Sequence, residues 1–204
     1  TKSIANSWAK NNIQVNAIAP GPFPDLEKND SEVTLVHDPW RPAPITGGHL
    51  GPNPGLVDRS VLDKRFDILV FQTNPLESEI LVSGIPIIET SLISDCESYD
   101  ICMALSLVDQ KDKSAKQFST GFLRIMTSKQ NKENFHIVEL QPTNITIKKG
   151  EKIRVSFAAA AWPAIGVNSG HSSISHGAPT INHKVITIKY NLNNTFMKIL
   201  PFFK

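Results

Sequence analysis

The sequence predicts an all-β fold, a jelly-roll-like antiparallel β-sandwich. Three observations lead there. About ten short segments rich in alternating or β-branched apolar residues follow one another. Turn signals separate them roughly every 8–12 residues, the spacing of sandwiches and barrels. No window carries an apolar stripe at helical period, and no strand–helix alternation appears after Asp30, which sets aside a parallel α/β sheet.

The first 30 residues stand apart as a segment of uncertain conformation, and the sandwich is expected over residues 31–204. Within the first segment, Ile4 to Ala9 suits a helical turn and Ile13 to Ile18 alternates like a strand. Pro20, Pro22 and Pro24 end that alternation, because each fixes φ and lacks a donor. Glu32 to His37 reads as a strand. Residues 38–55 then carry so many prolines and glycines that neither a helix nor a central strand fits. Trp40, Ile45 and Leu50 inside this loop predict that it lies flat against another surface.

Strands are expected at Ile68 to Gln72, at Glu79 to Val82 and, across Ser83-Gly84, at Ile85 to Ile93. Tyr99 to Val108 alternates cleanly, with Ile101, Met103, Leu105 and Leu107 on one face and Cys102, Ala104, Ser106 and Val108 on the other. Asp109 to Lys113 is a polar hairpin loop, and Phe118 to Met126 returns as a strand with Gly121 at a bulge or close backbone approach. Phe135 to Leu140, Asn144 to Ile147, Ile153 to Phe157 and Lys184 to Tyr190 complete the series. Ala158 to Ala161 precede Trp162-Pro163; four small residues suit either an alanine-lined core or the close approach of another surface.

Composition narrows function by exclusion. In 204 residues, 40% hydrophobic and 20% charged, a core can form. The formal charge of +2 and the lack of a basic stripe argue against nucleic acid as a partner. No apolar run approaches the roughly 20 residues that cross a bilayer, so no membrane partner is expected. Two cysteines and no signal-like start lead to the expectation of a cytoplasmic protein. A start at Thr1 reads as a fragment of a longer chain.

No motif marks a catalytic centre. There is no Gly-x-Ser-x-Gly elbow, so the turn that presents a hydrolase serine is missing. His171 and His176 are five apart, a spacing that suits neither a helix face nor a strand face as a metal pair. Cys96 and Cys102 lack a nucleophile context, and Cys102 reads as a buried thiol. The expectation is therefore no catalytic residue, no metal and no cofactor.

Six segments in order resemble the C-terminal domain of the X-Pro dipeptidyl-peptidase and cocaine esterase (CocE/NonD) family of serine hydrolases. Val36 to Leu50 is similar to a "(Y/H)DP-x-x-P-x-P-(S/T)-x-GG" motif. Asp58 to Phe71 resembles "D-(Q/R)-x-x-(L/V)-x-x-R-x-D-(V/I)-L", and Pro75 to Gly84 resembles "PL-x-x-(D/E)-(L/I)-x-(V/L)-x-G". Ser94 to Asp109, Thr120 to Arg124 and Lys149 to Pro163 supply the other three. Glu151 replaces the usual His, and His171 to Gly177 replaces a shorter stretch. The resemblance implies a jelly-roll sandwich that carries no triad residue. It also implies an α/β-hydrolase domain in the same polypeptide as partner, acting on a peptide, ester or amide.

Two other readings stand beside it. Jelly rolls also serve as carbohydrate-binding modules, although no planar row of Trp or Tyr appears here. Thr1 to Gly21 resembles the helix-to-strand segment of short-chain dehydrogenases, without the glycine-rich loop or the Tyr-x-x-x-Lys pair. Under the hydrolase reading, Trp40, Arg41, Ile45, Leu50, Trp162 and Pro163 are the candidate docking residues. A proline-rich loop cannot hide large apolar side chains by pairing as a sheet, and Trp and Arg are favoured interface anchors.

Overall fold

The computed structural model describes residues 32–48, 53–173 and 182–201. The dehydrogenase-like segment 1–21 and the two elements expected within residues 4–18 lie outside the described residues, as do Leu50 and His176.

Ten strands form two antiparallel sheets. They are β1 (Glu32–His37), β2 (Val57–Asp58), β3 (Leu69–Gln72), β4 (Ile80–Ser94), β5 (Tyr99–Val108), β6 (Ala115–Ile125), β7 (Glu133–Glu139), β8 (Thr143–Ile147), β9 (Lys152–Ala158) and β10 (Ile186–Leu200). Among the described residues the helical element is a single 3-10 turn, Leu62–Lys64. One sheet runs β1-β10-β4-β7, with β8 also paired to β4; the other runs β2-β6-β5-β9-β3. The chain crosses between sheets after β1, β3, β4, β6, β8 and β9, which makes the architecture a jelly-roll-like β-sandwich.

The alternation that predicts the strands also builds the core. Tyr99, Ile101, Met103 and Leu105 of β5 face Ile88 and Leu92 of β4 and Ile186, Ile188 and Tyr190 of β10 in one cluster. Each large aliphatic chain so buried contributes roughly 1.5–3 kcal/mol. Phe157 meets Phe71 edge-on, with ring centroids 5.5 Å apart, and Tyr190 at 5.1 Å.

Two segments differ from the sequence expectation. The strands expected on either side of Ser83-Gly84 are one 15-residue strand. Its first half pairs with β8 and its second with β7, so a turn between halves is unnecessary. Gly84 sits inside it at φ 145°, where a Cβ would collide with the Leu200 carbonyl. The last strand does not stop at Tyr190 but runs to Leu200 across a register shift between Asn191 and Phe196. The Asn-rich stretch reads as a turn locally. Buried Thr195 holds it in the sheet, donating to the Asn191 carbonyl and bonding Thr90 hydroxyl to hydroxyl at 2.8 Å. Gly121 is a close approach: a Cβ there would lie 2.5 Å from the Glu139 carbonyl oxygen.

Candidate functional site

On an antiparallel sheet the face away from the core is ordinarily polar and wet. The β2-β6-β5-β9-β3 sheet departs from this. The outward side chains of β5, Asp100, Cys102, Ala104, Ser106 and Val108, are all buried. The Pro/Gly loop covers the middle of this face, around Cys102 and Ala104. Ala43 and Ile45 pack on Cys102, Ala158, Ala160, Ala161 and Ile68 in a second apolar cluster. The small side chains of that run let an irregular backbone lie close to the sheet. The alanines are therefore lined by this chain's own loop.

The loop is tied down wherever its prolines leave donors. Asp38 opens it: its carboxylate accepts from the Trp40 amide at 3.0 Å and its carbonyl from the Arg41 amide at 2.9 Å. The Ile45 amide donates to the Trp162 carbonyl at 2.8 Å, and the Trp162 amide to the Ala43 carbonyl at 3.1 Å. This parallel bridge joins the loop to the Trp162-Pro163 corner, whose peptide bond is cis. Gly47 and Gly48 turn with positive φ, and a Cβ on Gly48 would lie 2.8 Å from the Thr120 hydroxyl.

Three ion-pair clusters lie under or beside this loop. Buried Asp63 accepts from Arg59 Nε at 2.8 Å, Ser156 Oγ at 3.0 Å and Arg154 at 3.3 Å. Arg59 also donates to Gln117, whose amide donates to the Thr46 carbonyl. Arg65 grips Asp67 through two nitrogens and donates to the Arg41 carbonyl. Arg124 grips Asp100 in the same forked manner and donates to the Gly166 carbonyl. Asn168 bridges Asp100 and Ser98. The hydrogen bond to the partner carboxylate holds the Arg65 and Arg124 guanidinium groups above their ordinary values. Most of the charged residues in the Asp58 to Phe71 motif thus serve structure: Asp58 itself accepts from the Ser60 and Ala115 amides, which hold its carboxyl low.

What this scaffold presents outward is aromatic. Trp40 is 63% exposed, leaning on His183 with ring centroids 5.2 Å apart, and Trp162 is 52% exposed. Arg41 and Pro163 are exposed beside them in sequence, whereas Ile45 is buried under the loop. The structure therefore brings the Trp40 loop and the Trp162 corner together through backbone bonds, with Ile45 as an anchor beneath.

Among the described residues no reactive constellation accompanies them. Between Pro44, Ile45, Arg59 and the alanine run there is a free volume of about 20 Å³, room for one water. Among the described residues no serine hydroxyl bonds a histidine ring, and no three His, Cys, Asp or Glu side chains gather as a metal-binding group. Burial pushes the Cys96 thiol up to about 12 and raises that of Cys102 as well, so neither is a thiolate at neutral pH. His171 lies in a polar loop where the neighbouring Ser172 donates to Glu97 through amide and hydroxyl. Sequence reasoning missed the three ion-pair clusters. Arg59 and Asp63, four apart with Asp63 inside the 3-10 turn, were the available signal.

Fold and loop together define a two-sheet β-sandwich whose outer loop is fixed by internal ion pairs. A family model described as "X-Pro dipeptidyl-peptidase C-terminal non-catalytic domain" matches residues 35–191, and the chain belongs to that family. Among solved structures it is similar to an aminopeptidase from a marine sediment Thaumarchaeota archaeon, with TM-score 0.72 and 16% identity over 83% of this chain and 33% of that one. An α-amino acid ester hydrolase gives TM-score 0.72 and 16% identity over 85% and 33%. A CocE/NonD family hydrolase from Staphylococcus aureus gives TM-score 0.57 and 14% identity over 90% and 36%. These likenesses show the shared fold, and the chain spans about a third of the length of each structure. A search of curated proteins gives no match. Among the described residues no helix is long and apolar enough to cross a membrane.

Proposed function

We propose that this chain is the accessory β-sandwich of a serine hydrolase, docked on an α/β-hydrolase domain of the same polypeptide through Trp40, Arg41, Trp162 and Pro163. The carrying observation is the exposure of two tryptophans on segments that are otherwise rigidly held. Ile45 anchors the loop from below, and Leu50 extends the same apolar run in sequence. The module braces the hydrolase domain and forms one wall of its substrate cleft. The substrate is a peptide, ester or amide, cleaved through an acyl-enzyme in the hydrolase domain, as in an X-Pro dipeptidyl-peptidase or a CocE-type esterase or acylase.

The test is Trp40→Ala and Trp162→Ala in the full-length enzyme. Each is expected to weaken domain association by about 2 kcal/mol, the cost of a buried aromatic anchor. The 204-residue chain carrying the same changes keeps its melting temperature, because both side chains are exposed in it. Unchanged coupling between the two domains' unfolding transitions in both variants refutes the docking face.

A further inference from the structure

The other sheet presents the reverse situation. Among the described residues, nothing covers the outer face of the β1-β10-β4-β7 sheet, yet that face is apolar where it should be wet. Phe135 and Ile137 of β7 are 58% and 50% exposed, and Phe196 and Leu200 of β10 are 53% and 46% exposed. Between these strands, Ile87 of β4 points to the same side.

The register orders the charges on this face. Reading across β10, β4 and β7, one row is Lys189, Ile93, Glu133. Further along come Asn191, Ser91, Phe135, then Phe196, Glu89, Ile137, and then Lys198, Ile87, Glu139. Cations lie on β10 and acids on β7; between them β7 carries Phe135 and Ile137, and β10 carries Phe196 and Asn191, whose amide donates to Glu133 at 3.2 Å. A two-fold axis running along β4 in the plane of this face exchanges β10 of one copy with β7 of the other. It sets Lys189 opposite Glu133, Phe196 opposite Ile137 and Lys198 opposite Glu139, each contact occurring twice. Glu89 meets its own copy at the axis, but Lys198 already neutralises it at 2.6 Å. Sheets stacked face to face within about 30° of parallel are an ordinary packing.

From this self-complementarity we infer that the outer face of the β1-β10-β4-β7 sheet binds a second copy of the chain as an isologous dimer. It is separate from the proposed hydrolase-docking loop, which leaves β1 at His37, and it stands whether or not that docking reading holds.

The test uses the 204-residue chain and two charge reversals, Lys189→Glu and Glu133→Lys. Sedimentation velocity from about 1 to about 200 µM should show a species of twice the 22.5 kDa protomer mass. In either variant alone, like charges oppose one another in both symmetry-related contacts, and the dissociation constant should rise about tenfold or more. In an equimolar mixture of the two variants, a mixed dimer again sets an acid against a base in both contacts, with the two signs exchanged in one of them. The mixture should therefore recover the dimer. A chain monomeric throughout overturns the inference. So does a dimer indifferent to both reversals, or a mixture that fails to recover. Dimerisation that appears only after removal of residues 1–31 assigns the face to that segment, and a face buried only when the hydrolase domain is attached assigns it to that domain; either result also overturns the inference.

Discussion

Arg124 ties together three features of the docking scaffold, and its removal gives a direct measure of how firmly that scaffold is held. The guanidinium donates to both Asp100 oxygens, at 2.8 and 2.7 Å, and also reaches the Gly166 carbonyl beyond the Trp162 corner. Arg124→Leu leaves the Asp100 carboxylate, only 1% exposed, without its charged partner, while the Asn168 amide at 3.0 Å still donates to it. Removing one partner of a buried pair costs about 3–5 kcal/mol. Because the Arg124 side chain is 29% exposed and solvent screens it, the lower end applies, about 3 kcal/mol. At a urea slope of about 2 kcal/mol per molar, the unfolding midpoint should fall by roughly 1.5 M with the slope unchanged. Adding Asp100→Asn should recover part of the loss, since the group left buried is then neutral. Urea titration followed by tryptophan fluorescence reads both numbers. A midpoint shift under about 0.3 M for Arg124→Leu, or a double variant worse than the single one, refutes the reasoning.

Further expectations can be checked on the same chain. Gly84→Ala places a Cβ against the Leu200 carbonyl at a φ of 145°, and should cost about 2–4 kcal/mol in the same urea titration. Burial holds the imidazoles of His37 and His136 below their ordinary value of 6.5, for His37 against the opposing pull of Asp100, Asp67 and Asp38. The unfolded chain then binds protons more readily than the folded one, so stability is full above about pH 6.5 and declines as the pH falls below it; melting temperatures that rise on acidification from about pH 7.5 to about 5.5 contradict this. The chain should not hydrolyse an X-Pro anilide or an aryl ester, and turnover abolished by a serine-directed phosphonate would show otherwise. Neither NAD nor NADP should shift its melting temperature; a saturable shift would restore the dehydrogenase reading of residues 1–21.

The strands were legible wherever period-2 alternation and burial agree. Tyr99 to Val108 shows this: its inward residues are the apolar ones, and its observed limits match the alternation. Legibility failed where a long-range contact outweighs a local signal. Ser83-Gly84 looks like a turn, but β8 and β10 pass on either side and require a glycine without a turn. Asn191 to Asn194 look like a break, but Thr195 is bonded to Thr90, 105 residues away. The pairs of Asp100 with Arg124 and Asp63 with Arg154 were illegible for the same reason, since they join residues far apart in sequence, whereas Arg59 with Asp63 and Arg65 with Asp67 are local. Of the candidate docking residues, the large apolar ones in a proline-rich loop drew notice from composition alone. That Ile45 turns inward while Trp40 turns outward depends on the Trp162 bridge, which no local pattern encodes.

The two outer faces follow from opposite uses of the same sheet geometry. A loop with several prolines offers few backbone donors, and the carbonyls it brings against a sheet still need partners. Polar side chains beside the loop and the Trp162 corner meet that need: Gln117 of β6 for the Thr46 carbonyl, Arg65 after the 3-10 turn for that of Arg41, and Arg124 of β6 for that of Gly166 beyond the corner. The two arginines are half-buried cations and the neighbouring Arg59 is a buried one, so each must in turn meet a carboxylate, and Asp63, Asp67 and Asp100 supply them. Alanine and cysteine fill the outward positions directly under Ala43 and Ile45, where small side chains let the loop lie close. The uncovered sheet carries no such apparatus among the described residues. Of its outward carboxylates, Glu89 meets Lys198 and Glu133 accepts from Asn191 and Asn194, and its gaps hold Phe and Ile in place of Ala. An irregular segment needs directed hydrogen bonds, whereas a second flat sheet needs only apolar area and matched charge at its edges. The first sheet's outer face is built for the former and the second's for the latter.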